Sequence, residues 1–166
     1  MKINSKFIIL LLILTLLQIL WYNQFKLYGR FVPLIYIYPF LILNFSQTNL
    51  QLILAFITGL VLDAFLHTGG VFTAVTVFIV YIRRIIITPV LTNRKYNEDI
   101  NPLDFSFNIK IYYYGTAVFL SLILINLLES LSFSYVFYKI PLLIINTLLS
   151  LIIIIFIDYL FIHKTS

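Results

Sequence analysis

Long apolar runs separated by short polar clusters dominate the chain. Six stretches approach the roughly 20 residues (range about 17–25) that a helix needs to cross the hydrocarbon of a bilayer. They cover residues 7–22, 31–45, 50–66, 71–87, 111–128 and 140–162. None alternates apolar and polar positions over about ten residues, as a membrane β-strand does; 7–14 and 151–157 are continuously apolar. Lipid cannot hydrogen-bond exposed backbone, so the expected state of such runs is helical. The pattern predicts one all-α integral membrane domain over 1–166, with six transmembrane helices. The second stretch is the shortest and holds Pro33 and Pro39. Pro39 would break an i→i−4 bond inside a continuous helix. Two alternatives stand for it, a kinked span and a short re-entrant element. Pro141 suits the first turn of the last helix, where its missing N–H is not needed.

Composition agrees with the pattern. Hydrophobic residues make up 62% and charged residues 10%, against about 25% charged in an ordinary soluble domain. A net charge of +5 would raise nucleic acid as a partner in a soluble protein. Here the basic residues flank apolar runs, so topology accounts for them and no nucleic-acid role is expected. With the N-terminus inside, eight basic residues (Lys2, Lys6, Arg83, Arg84, Arg94, Lys95, Lys110, Lys164) fall on the cytoplasmic side and three (Lys26, Arg30, Lys139) on the other, the full 11. The positive-inside rule then puts both termini in the cytoplasm. The N-terminal run follows Lys2 and Lys6 as in a signal peptide. Trp21, Tyr22, Asn23, Gln24 and Phe25 supply no small-residue cleavage site, so it is expected to remain as the first helix. The polar stretch 88–110 reads as a cytoplasmic loop, Tyr112, Tyr113 and Tyr114 as an interfacial aromatic belt, and the aromatic stretch 130–139 as an outer interfacial loop. There are no cysteines, hence no disulfides or thiolate metal sites.

Ionisable residues inside spans are the informative positions, because burying one in lipid is costly unless it is paired or hydrated. Ala55, Gly59, Asp63 and His67 recur every four residues and share one helix face. The two small residues would admit a neighbouring helix, with Asp63 facing the same seam either as a packing carboxylate or as a ligand or partner site. His67 precedes Thr68, Gly69 and Gly70, a tight turn that needs positive φ; no set of further ligands is spaced to make it a metal site. Glu129 closes the fifth span, where Lys139 is a potential partner. Asp158 lies near the inner end of the last span, within reach of Arg83, Arg84 or Lys164. Arg83, Arg84, Arg94 and Lys95 are candidate contacts for cytoplasmic partners or anionic lipid. Asn126 and Asn146 are expected to hydrogen-bond between helices. No G-x-S-x-G, H-E-x-x-H, P-loop or G-x-G-x-x-G occurs; neither an enzyme nor a cofactor is expected.

The segment PLIYIYPFLIL, followed by LAFITGLVLDAFLHTGGVFTAVTVFIVYIRR, resembles the rod shape-determining protein MreD family. There a proline-bearing second span leads to a G-x-x-x-D helix, a glycine turn and a span ending in arginine. Pro33, Gly59, Asp63, Gly69, Gly70 and Arg83 stand at those positions. YYYGTAVFLSLILINLLESLSF resembles the family's fifth span, with Glu129 closing it; where some relatives carry histidines, this chain has Ser121 and Leu122. The resemblance implies a non-enzymatic scaffold of the bacterial elongation (rod) complex in the cytoplasmic (inner) membrane. It would bind MreC and work beside MreB, RodA and a class B penicillin-binding protein in lateral peptidoglycan synthesis and cell shape. It also implies a fold similar to the substrate-binding subunits of energy-coupling-factor transporters. A vitamin-like small-molecule-binding subunit is therefore the alternative function.

Overall fold

The computed structural model describes residues 5–25, 32–45, 48–90 and 101–163. Arg94 and Lys95 lie outside these residues, as do Lys2, Lys26, Arg30 and Lys164. Every regular element among the described residues is helical: α1 (Ser5–Phe25), α2 (Tyr38–Ile42), α3 (Thr48–Leu66), α4 (Val71–Ile87), α5 (Phe107–Ser130), α6 (Phe133–Tyr138) and α7 (Ile140–His163), with single 3₁₀ turns at Thr88–Val90 and Pro102–Asp104. Four helices are long and apolar enough to cross a membrane, over Ser5–Asn23, Asn49–Leu66, Phe107–Ser130 and Ile140–Leu160. α4 is shorter, at 17 residues, and carries Arg83 and Arg84. The chain is a multi-pass membrane protein of the all-α class. Its long helices turn rows of leucine and isoleucine outward, such as Leu12, Leu16 and Leu20 on α1 and Ile145, Leu148 and Ile152 on α7. In water such faces would aggregate; in lipid they need no cover.

α1 packs on α3, α3 on α4, α4 on α5 and α5 on α7. Segment 32–45, the least helix-like on sequence, fills the middle. Tyr36, Ile37, Tyr38, Phe40, Leu41, Ile42 and Leu43 are fully buried. The segment is not one kinked helix. Residues 32–35 form no regular element and only α2 is helical. Pro39 sits in the first turn of α2, where its missing N–H breaks nothing, and Pro141 does the same in α7. The segment runs from the end of the bundle where Val32 shares a cavity with Glu129 to the end where the Asn44 carbonyl meets Arg83.

Three sequence expectations change here. Tyr113 and Tyr114 are fully buried rather than interfacial; only Tyr112 of the three is exposed. Consecutive residues of a helix are rotated by about 100°, so three consecutive tyrosines cannot share a face. Lys110 belongs to α5, not to a loop, and is buried. Residues 130–139 contain α6, whose Phe137 and Tyr138 are exposed.

Candidate functional site

The irregular backbone on either side of α2 in segment 32–45 creates the demand that organises the interior. In lipid each unsatisfied backbone group costs several kcal/mol, so irregular backbone survives only where protein groups satisfy it. At the entry, Gln18 of α1 acts as a two-sided clamp. Its Nε2 donates to the Pro33 carbonyl at 3.1 Å, and its Oε1 accepts from the Ile35 N–H at 2.9 Å. Ser150 of α7 accepts from the Leu34 N–H at 2.8 Å. At the exit, Arg83 of α4 donates to the carbonyls of Phe40, Leu43 (3.0 Å) and Asn44 (3.0 Å) and to Gln51 Oε1. Gln51 Nε2 donates in turn to the Asn44 carbonyl at 2.7 Å. The guanidinium lies 4.9 Å from the Phe45 ring centroid. A planar group with five donors can meet several carbonyls at once.

This overturns the expectation that Arg83 reaches cytoplasmic partners or headgroups. It is 1% exposed, held among the carbonyls at the end of α2 and the Gln51 amide. Arg84, the next residue and rotated by about 100°, is exposed.

Asp158 was expected to pair with Arg83, Arg84 or Lys164. Its partner is Lys110, Nζ to Oδ2 at 2.7 Å. Oδ1 accepts from the hydroxyls of Tyr38 at 2.9 Å and Tyr114 at 3.3 Å. The carboxylate thereby ties α7 to α5 and to the central segment.

The four-residue spacing on α3 holds for three of its four members. Ala55 is buried among Phe7, Phe40, Leu43 and Val80. Gly59 faces α4 so closely that a Cβ there would overlap Thr73 Cα and lie 2.9 Å from its nitrogen. Asp63 bridges to α4. Its Oδ1 accepts from the Phe72 N–H at 2.9 Å and from the Thr68 hydroxyl; its Oδ2 accepts from the Thr73 N–H at 2.8 Å and from the Thr73 hydroxyl. Gly70 is the N-cap of α4 and has no side chain to offer. The first-turn N–H groups need an acceptor, and Asp63 supplies it from the preceding helix. His67 falls beyond the end of α3, exposed at φ 55°. Gly69 and Gly70 adopt φ 66° and 99°, the conformation the glycine turn predicted.

Asp63→Leu is expected to lower stability by about 3 kcal/mol, since two amides and two hydroxyls lose a charged acceptor. Asp63→Asn should lose roughly half as much, keeping one acceptor oxygen. Thermal unfolding in detergent measures both; a leucine variant that melts like the parent would show the carboxylate to be incidental.

At the opposite end from Arg83, a cavity of about 230 Å³ opens between α1, α4, α5 and α7. Gln18, Tyr22, Asn126, Glu129, Lys139 and Asn146 give its polar wall, and Phe72, Leu122 and Ile125 contribute to its apolar one. Glu129 accepts from the Tyr22 hydroxyl at 3.2 Å; Lys139 stands on the same wall. Asn126 Nδ2 donates within its own helix, to the Leu122 carbonyl at 2.9 Å, not between helices as expected. Asn146 is 7% exposed and its Oδ1 has no partner. Among the described residues no three His, Asp or Glu side chains converge as a metal site would require.

Gln18, Gln51, Ser150 and Lys110 are the residues that the sequence did not single out. A glutamine within an otherwise apolar run was the available signal for Gln18. Compared with known proteins, the chain matches no family model, no curated protein and no solved structure.

Proposed function

We propose that this protein is a non-enzymatic scaffold of the bacterial cell-elongation complex, binding MreC in the cytoplasmic membrane beside MreB, RodA and a class B penicillin-binding protein. One observation carries the reading. The buried charges Asp63, Arg83, Lys110 and Asp158 are each held by internal partners that fix the fold. What the bundle presents outward is apolar helix surface, which a partner's helix can cover as well as lipid does. The resemblance around Gly59, Asp63 and the glycine turn supports it too, since these residues form one closely packed unit.

In this reading the chain crosses six times, by α1, 32–45, α3, α4, α5 and α7, a fold similar to energy-coupling-factor substrate-binding subunits. With Arg83 and Lys110 removed from the loop charges, eight cytoplasmic basic residues become six, still against three. Both termini are then cytoplasmic. Because the chain lacks cysteine, Ser5→Cys and Ser132→Cys report this cleanly. An impermeant thiol reagent should label Cys at 132 in intact cells and Cys at 5 only after permeabilisation; the reverse pattern inverts the topology.

Purification at native levels in mild detergent should recover MreC or another cell-wall protein, and depletion in a rod-shaped host should give round, swelling cells. Recovery of an ATPase energising module without any cell-wall protein would overturn the scaffold. Unchanged shape with lost vitamin uptake would establish the transporter subunit instead.

A further inference from the structure

We propose that the cavity between α1, α4, α5 and α7 binds a small zwitterion, a primary ammonium and an anionic group joined by a short chain, as in phosphoethanolamine. Three observations converge on it. The first is size: about 230 Å³ is below the ~300–1,000 Å³ of drug-sized sites. The second is an unanswered acceptor. Asn146 lines the cavity, is 7% exposed, and its Oδ1 has no hydrogen-bond partner. Buried polar atoms are nearly always paired; the buried acceptors Gln18 Oε1, Gln51 Oε1 and Asp158 are answered, whereas the Tyr113 hydroxyl, which does not line the cavity, is another buried group without a partner. The third is opposite charge on one wall, from Glu129 and Lys139, which continue together into the adjoining polar recess with Ser130 and Ser132.

These groups define the ligand. An ammonium N–H donates to Asn146 Oδ1 and faces Glu129; the anionic group faces the Lys139 ammonium. Glu129 uses one oxygen toward Tyr22, and a carboxylate retains further lone pairs. A quaternary ammonium has no N–H for Asn146 and is excluded. The hollow between α3 and α4, lined by Leu52, Phe56, Val77 and Phe78, lacks such groups. The same chemistry is available from a free zwitterion or from the headgroup of phosphatidylethanolamine. The site does not depend on the scaffold reading.

The test uses the full chain, purified free of ethanolamine lipid. O-phosphoethanolamine and phosphocholine are titrated calorimetrically in detergent. Thermal unfolding is followed in phosphatidylglycerol nanodiscs with and without phosphatidylethanolamine. O-phosphoethanolamine should bind saturably, and phosphocholine at least tenfold more weakly. Asn146→Leu and Glu129→Gln should each weaken the response at least tenfold. Ligand-free Asn146→Leu should melt no lower than the parent, because the unpaired amide is gone; if it does melt lower, Glu129→Gln decides. Binding of the free compound identifies a soluble ligand. Stabilisation by phosphatidylethanolamine alone identifies the lipid. Equal affinity for phosphocholine, parental affinity in Glu129→Gln, or no response to either source overturns the proposal.

Discussion

Arg83→Ala is expected to lose about 3–5 kcal/mol, a large share of the ~5–15 kcal/mol that holds a typical fold. The guanidinium answers the carbonyls of Phe40, Leu43 and Asn44 and the Gln51 amide together. Alanine leaves the Phe40 and Leu43 carbonyls and Gln51 Oε1 without this donor, while Asn44 keeps Gln51 Nε2; each buried group without a partner costs about 1–3 kcal/mol. Some of that is recovered as the exit of segment 32–45 relaxes, which is why the penalties do not sum. Arg83→Lys should fall between alanine and the parent. An ammonium keeps the charge but concentrates three donors at one point, so it cannot span the same acceptors. Gln51→Ala, which removes one member of the network, should cost about 1–2 kcal/mol. Thermal unfolding and monodispersity in detergent give the order parent, Gln51→Ala, Arg83→Lys, Arg83→Ala. An alanine variant melting within a few degrees of the parent would mean that the carbonyls find other donors.

Lys110→Met should be nearly as damaging, about 3–5 kcal/mol, because it strands the Asp158 carboxylate inside the bundle. Asp158→Leu strands the lysine instead. The double variant Lys110→Met, Asp158→Leu should be more stable than either single one, since it removes both charges and both desolvation penalties. Recovery stays partial: the Tyr38 and Tyr114 hydroxyls, which donate to Asp158 Oδ1, lose their acceptor. The expected coupling is about 2–3 kcal/mol, at the upper end for residues in direct contact. Additive losses would show that the two residues stabilise the bundle independently, in spite of the 2.7 Å contact.

Local features were the legible ones. Gly59 and Asp63 lie four apart on one helix and act on the next helix across a four-residue turn, so spacing alone places both at the α3–α4 seam. The positive φ at Gly69 and Gly70 follows from the same short connection. On sequence Arg83 stands near the cytoplasmic end of the fourth apolar run, which says nothing of its partners. Its acceptors lie 32–43 residues upstream, beyond anything a helical period can report. Lys110 was hidden because 88–110 looks like one polar loop, whereas α5 begins at Phe107 and draws the lysine inward.

The sequence by itself determined the solvent and the element type. Continuous apolar runs of about 20 residues are stable only in lipid, and lipid forces their backbone into helices. The tertiary structure decided what the polar residues do. Segment 32–45 breaks its own helix, and the backbone groups it exposes must be answered by whichever side chains packing brings near. Those are Gln18, 17 residues away from the Ile35 amide it accepts from, and Ser150, 116 residues from Leu34. Contacts at such separations carry no periodic signature, because they are fixed by how helices stack and not by how any one of them coils.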